Sequence, residues 1–221
     1  MKFAVSYSGG KESALAVYRA VKQGHESIAL ITTFNTDIGR SHFHCISEEV
    51  LESVSNSLNI PLWLVKTSGA EYALNFEKAL SQAKEQGAQA CVFGDIDIEG
   101  HLKWCSERCA KAGIEPLFPL WGEDRKKIVH EVIDDGFIAN ISVINSELLS
   151  GDLLGRQLTK DVADRIAAQG ADICGENGEY HTFVSAGPIF RHPVGFSFGE
   201  KSVRDGYSIL PVLAARSQAE K

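Results

Sequence analysis

Residues 1–136 alternate fully apolar runs with runs of helical period, and few folds accept that order. Phe3 to Tyr7, Ile28 to Phe34, Leu62 to Val65, Ala90 to Gly94 and Pro116 to Trp121 read as five strands. Between them, apolar residues recur three or four positions apart, as in Ala14, Val17, Tyr18 and Val21 or Leu51, Val54 and Leu58. Further helices are expected after Ser68 and Glu71, which form a capping-box pattern, over Glu99 to Ala112, and after Asp124. Strands apolar at every position must be covered on both faces, and strand–helix alternation then means a parallel sheet. The expected fold class is α/β, a doubly wound, Rossmann-like, parallel five-stranded sheet. Ligands of such sheets sit at the carboxyl ends of the strands.

The pattern changes after Gly136. Phe137 to Ile144 reads as a sixth strand, followed by a short helical piece and a polar helix around Lys160 to Ala168. From Asp172 onward the chain is rich in Gly, Phe, His and Pro and reads as strands and loops. We therefore expect two units, residues 1–136 and a smaller α+β domain over 137–221, with Arg216 to Lys221 frayed.

The most telling local feature is Ser8-Gly9-Gly10-Lys11-Glu12-Ser13, placed between the first strand and the first helix. Two glycines let the backbone approach an anion, and the free N–H groups of the first helical turn point at it. Ser8 and Ser13 add hydroxyl donors and Lys11 a point charge. The spacing is that of neither a Walker A loop nor a dinucleotide fingerprint. Alone, it would also suit an ordinary strand–turn–helix junction. The formal net charge of −7 disfavours broad nucleic-acid binding but not a small anion held by backbone N–H groups.

A second constellation lies over 160 residues later, in Cys174-Gly175-Glu176-Asn177-Gly178-Glu179-Tyr180-His181-Thr182-Phe183. If extended, this segment turns Glu179 and His181 to one face and Tyr180 and Thr182 to the other. Carboxylates, an imidazole and a hydroxyl this dense suit proton transfer, Mg²⁺ coordination or a charged substrate. A solvated surface loop is the other reading.

The loop resembles the pyrophosphate-binding loop of the N-type ATP pyrophosphatases. Taken with Phe93-Gly94-Asp95-Ile96, Pro119-Leu120-Trp121, Gly136-Phe137, Leu154-Gly155-Arg156, the cluster from Gly175 to Phe183, and Gly187-Pro188-x-Phe190, the chain resembles the diphthine–ammonia ligase family and its bacterial relatives. Glu12 stands where that family often has Asp, and Asn177 where Gly is common. The resemblance implies an adenine nucleotide alpha hydrolase-like domain followed by a family-specific one. It implies ATP and Mg²⁺ as cofactors, adenylation of a carboxylate, and displacement of AMP by ammonia. The acceptor would be a modified histidine on an elongation factor or an unknown small carboxylate.

On that basis Ser8, Gly9, Gly10, Lys11, Ser13, Thr33, Gly94, Asp95 and Ile96 are expected at the nucleotide, with Asp95 also toward Mg²⁺. Lys11, Glu176, Glu179 and His181 are expected to be catalytic. Arg156, Gly175 and Thr182 are expected at the acceptor. Rival functions are an amidoligase on another substrate, an RNA-modifying enzyme of the same fold, and a non-catalytic nucleotide-binding regulator. A homodimer is compatible with the resemblance.

Other features weigh less. His101, Cys105 and Cys109 fall four apart on one helix, a span of about 12 Å, too long for one ion. They are expected to pack. His42 and His44 flank Phe43 in a loop that either lines a substrate site or is simply polar. Trp121 is expected as a hydrophobic lid. Cys174 has no neighbour that would activate a thiolate. Five cysteines, no signal-like N-terminus and no run of ~20 apolar residues suggest a cytoplasmic chain with reduced thiols.

Overall fold

Phe3, Ala4 and Val5 are all buried, so strand β1 (Lys2–Ser6) is covered on both faces, as its unbroken apolar sequence requires. The computed structural model describes residues 1–215; the expectation for Arg216 to Lys221 falls outside them. Helix α1 (Lys11–Lys22) leads to β2 (Glu26–Asn35), a two-residue strand β3 (Arg40–Ser41), α2 (Glu48–Leu58) and β4 (Leu62–Thr67). Then follow α3 (Tyr72–Glu85), β5 (Ala90–Val92), α4 (Glu99–Ala112), β6 (Glu115–Leu117) and α5 (Arg125–Asp134).

The parallel sheet runs β4-β2-β1-β5-β6, so the strand order reverses at β1. Phe3 and Val5 pack with Leu15, Val54 and Ile128 of α1, α2 and α5. Ala4 faces Phe76, Leu80 and Cys109 of α3 and α4. The doubly wound five-stranded sheet is therefore present. The short β3 joins it antiparallel, pairing Phe34 with Ser41 and Asn35 with Arg40.

Three local expectations are corrected. The fifth strand stops at Leu117 and the chain turns through Pro119 to Gly122, since Pro119 has no N–H for a ladder. Ser68 caps no α-helix; a single 3-10 turn, Gly69–Glu71, precedes α3. The fourth strand ends at Val92, because Gly94 must pass against α1. A Cβ there would lie 2.8 Å from the Glu12 carbonyl carbon and the Ser13 nitrogen.

Beyond α5 come β7 (Ile138–Asn145), α6 (Lys160–Ala168), β8 (Tyr180–Ala186), β9 (Phe196–Phe198), β10 (Ser202–Arg204), β11 (Tyr207–Ile209) and β12 (Val212–Ala214). The second sheet is antiparallel in the order β10-β11-β7-β8, and β9 pairs with β12. Ile141, Phe183 and Val184 join the same apolar cluster as Val5 and Leu15, so the second sheet packs directly on the α1 face. Two backbone seams hold it there. Val184 N–H donates to the Gly9 carbonyl at 2.9 Å, and Val212 pairs with Cys45 and Ser47 at 3.0 and 2.9 Å. Among the described residues no helix is long and apolar enough to cross a membrane.

Candidate functional site

The two constellations separated by more than 160 residues meet. Lys11 opens α1 and is 2% exposed. Its backbone N–H donates to Thr182 Oγ1 at 3.1 Å, and its Nζ donates to the Cys174 carbonyl at 2.6 Å. Nζ also pairs with the Glu12 carboxylate and lies 4.5 Å from the Tyr180 ring centre. Burial alone would lower the Lys11 ammonium. Glu12, and behind it Tyr180, Cys174 and Glu176, hold it well above the usual lysine range.

The loop glycines are needed for this approach. Gly9 has φ +86°, and a Cβ on it would strike Ile46, while one on Gly10 would strike the His44 ring. Ser8 Oγ accepts from Gly10 N–H at 3.2 Å and meets Ser13 Oγ at 3.2 Å; Ser13 Oγ donates to the Gly10 carbonyl at 2.9 Å. The loop is thus preformed by its own hydroxyls and backed by β8.

Glu12, Cys174 and Glu176 bring their ligand atoms within 4.8 Å of one another. Burial, and after it the Glu12 charge, push the Glu176 carboxyl from its ordinary 4.5 up to about 8, against the pull of Lys11 and Arg125. Burial pushes the Cys174 thiol up, which keeps it protonated and a poor nucleophile. His44 Nδ1 lies 2.7 Å from the Thr182 carbonyl and so carries the proton. Its ring centre is 5.1 Å from that of His181. Burial, then His44 and Lys11, push His181 down to about 3, so its imidazole is neutral.

Lys11, Glu12, His44, Gly175, Glu176 and His181 all line one cavity of about 1020 Å³. Its other walls come from the segment after β2, including Arg40, from His101 of α4, from Val143 of β7 and Tyr180 of β8, and from the C-terminal strands, including Tyr207 and Leu213. Not every residue singled out from sequence reaches it. Glu179 does not share a face with His181. Its carboxylate turns back to accept from Asp172 N–H at 3.1 Å and Asn177 N–H at 3.0 Å, closing the loop that presents Glu176. Arg156 points its Nε to the Asp152 carbonyl at 3.3 Å, away from the cavity walls. Thr182 is fully buried beneath Lys11.

At the carboxyl end of the parallel sheet, Thr33 Oγ1 meets the Tyr72 hydroxyl at 3.4 Å. Gly94, Asp95 and Ile96 follow β5, and the Ile96 carbonyl accepts from Gly122 N–H at 2.7 Å. Asp95 lies 3.1 Å from His101 Nδ1, outside the Glu12–Glu176 group. Cys105 and Cys109 pack in the second core cluster, whereas His101, expected to pack with them, is exposed and borders the cavity, because it stands in the first turn of α4 at the carboxyl end of the sheet. Trp121 sits edge-on to Phe118, with ring centres 5.9 Å apart.

Sequence reasoning missed two parts of this site. Glu12 carries the acid of the loop, and its retained charge was the available signal. Arg125 grips Asp97 at 2.6 and 2.7 Å and Asp172 at 2.6 Å. Asp172 in turn accepts from Cys174 and Glu176 N–H at 3.1 and 3.0 Å. No sequence pattern announces that clamp, because its members lie on three separate segments.

Two family models match the chain, the diphthamide synthase N-terminal domain over residues 1–116 and the diphthamide synthase C-terminal domain over residues 124–210. The chain is 22% identical to the diphthine–ammonia ligase of Danio rerio, covering 93% of this chain and 90% of that protein. It is 23% identical to the diphthine–ammonia ligase of Schizosaccharomyces pombe, over 86% of this chain but 35% of that longer protein. Among solved structures, it is similar to a predicted subunit of tRNA methyltransferase from Methanocaldococcus jannaschii. That likeness has a TM-score of 0.48 at 16% identity and covers 85% of this chain and 98% of the other.

Proposed function

The chain belongs to the diphthamide synthase family, and from that premise we propose that it is an ATP-dependent amide-forming ligase that activates a carboxylate as its adenylate. The observation that carries the reading is the joining of loop and acid cluster through Lys11, bonded to Thr182 and Cys174 at once. A loop for phosphate alone has no need of an acidic cavity stitched to it.

In this reading Ser8, Gly9, Gly10, Lys11 and Ser13 receive the ATP phosphates, and Thr33, Gly94, Asp95 and Ile96 border the nucleoside. An acceptor carboxylate in the cavity attacks the α-phosphorus, the α–β P–O bond breaks, and pyrophosphate leaves. Ammonia then attacks the acyl carbon, the C–O bond breaks, AMP leaves with its electrons, and the nitrogen sheds a proton. Lys11 faces the developing negative charge from a water-poor position, where a fixed cation counts for most. The neutral imidazole of His181 offers a hydrogen-bond site to incoming ammonia. Residues 1–136 supply the nucleotide half and the following residues the acceptor half.

The oxygen donors present fit Mg²⁺. Such an ion takes one or two carboxylates, with substrate phosphates and water completing its shell. Glu12 and Glu176 are close enough to share it, and a cation there would offset the burial, and after it the Glu12 charge, that push the Glu176 carboxyl up. When bound, Mg²⁺ would neutralise charge on the leaving pyrophosphate.

The test is product analysis with ATP labelled at the α-phosphate, Mg²⁺ and ammonium, with and without soluble extract from the source cells. AMP is expected, and only when extract supplies the acceptor. ADP as product, or ATP binding without turnover in any extract, sinks the ligase reading in favour of a kinase-like enzyme or a nucleotide-binding regulator.

A further inference from the structure

The cavity holds a half-buried cation that the proposed chemistry does not use. Arg40, on β3, lines it together with Lys11 and Glu176. Lys11 is matched by Glu12, and Arg204, at the same cavity, by Asp205 at 3.3 Å. The Arg40 guanidinium has no such partner among the described residues, and its Nη1 is closed off from solvent without a hydrogen-bond acceptor. A buried N–H left unpaired forfeits its bond to water with nothing in return, and a guanidinium is worse, since its donors are charged. Such a group persists beside a large cavity when the occupant completes it.

The surroundings say what kind of occupant. Arg40, Cys45 and Arg204 line the same cavity, so two guanidinium groups border it. Val143, Ile209 and Leu213 give the same cavity an apolar lining, and Phe43 stands 60% exposed along it. At about 1020 Å³ the space is at the upper end for a small-molecule site and far exceeds one carboxylate. Glu200 and Asp205 also reach the cavity. Asp205 is engaged by Arg204, and Lys201, also on the wall, is exposed to water. Among the described residues, Arg40 is the shielded cation left without an anion.

We infer that the acceptor carries a second anionic group, a carboxylate or phosphate on an apolar body, which Arg40 receives while the carboxylate to be amidated lies near Lys11 and Glu176. This rests on the cavity being the acceptor site. A planar fork of N–H donors is suited to a two-oxygen anion, and it sets the distance between the two charged ends. Acceptors lacking the second charge would leave Arg40 unpaired and bind poorly.

Two measurements test this. The first follows the arginine Nε–H signals of the ¹⁵N-labelled full chain, with Arg40 assigned by its loss in Arg40→Gln. Acetate and inorganic phosphate are titrated separately in the presence of saturating ATP analogue. A saturable shift of the Arg40 signal is expected, and the tighter of the two anions identifies the group. No shift with either anion, or a shift caused by the nucleotide analogue alone, overturns the inference. The second compares extract-dependent AMP formation. Arg40→Gln is expected to raise the KM for the extract acceptor at least ten-fold with the KM for ATP unchanged, and Arg40→Lys to recover part of it. An unchanged acceptor KM overturns the inference. If the wild-type chain makes no AMP with any extract, the ligase reading fails, and the anion titration still decides whether Arg40 is an anion site.

Discussion

Lys11→Met is expected to abolish most AMP formation and to destabilise the chain together. The methionine keeps the length of the buried side chain but removes the ammonium that Glu12 and the Cys174 carbonyl share. Breaking one side of a buried ion pair costs about 3–5 kcal/mol, because the surviving charge is left without compensation. A shift of that size in urea-unfolding free energy is the first readout. Adding Glu12→Gln should recover a large part of the stability, since it removes the orphaned carboxylate. It should recover none of the turnover. Loss of one fixed donor at a site of developing charge typically costs about 10²–10³ in rate, and that is the deficit expected at saturating ATP in both variants. Stability that survives the single change would show that Glu12 is solvated rather than paired.

Glu176→Gln separates a role in chemistry from a role in folding, because the two move in opposite directions. The folded chain holds the Glu176 carboxyl up near 8 against an ordinary 4.5. Between these values the folded state keeps a proton that the unfolded state releases, so wild-type stability falls as pH rises through that window. The stabilisation is complete below about 4.5 and lost once pH passes about 8. Each tenfold change in a proton-binding constant is worth about 1.4 kcal/mol, which over the window from 4.5 to about 8 puts the loss on the order of 5 kcal/mol. Glutamine cannot ionise. The variant should therefore match wild type near the lower end of the window and exceed it above the upper end, in the absence of nucleotide and Mg²⁺. Extract-dependent AMP formation should nevertheless drop by about two orders of magnitude. Stability curves of the same slope for the two proteins would contradict the burial of Glu176 beside Glu12.

The parallel sheet was legible because its strands are apolar at every position, and strand–helix alternation makes them parallel. The ends of β5 and β6 were not, since what stops them is the passage of Gly94 against α1 and the turn at Pro119. The loop proposed to receive phosphate stood out in the contiguous run Ser8 to Ser13. What Lys11 does with its charge could not, because Cys174, Thr182 and Tyr180 reach it only through the second sheet. Glu179 shows the limit of strand-alternation reasoning. The rule that residues two apart share a face holds inside a strand, and β8 begins only at Tyr180, leaving Glu179 free to clasp its own turn. Arg156 lies in a segment that matched the family resemblance, yet its side chain serves the Asp152 carbonyl. Arg40 and Arg125 carried no motif at all, and each becomes visible only when distant segments converge.

Whether a carbon–nitrogen bond forms at the cavity beside Lys11 can be settled by isotope transfer. Extract, ATP and Mg²⁺ are incubated with ¹⁵N-ammonium and the wild-type chain, with Lys11→Met as the control. Products are searched by mass spectrometry for an ATP-dependent ¹⁵N amide. One labelled amide is expected, formed in step with AMP and absent with the variant. AMP formation with no nitrogen incorporated, or equal labelling with the variant, would refute the ligase reading.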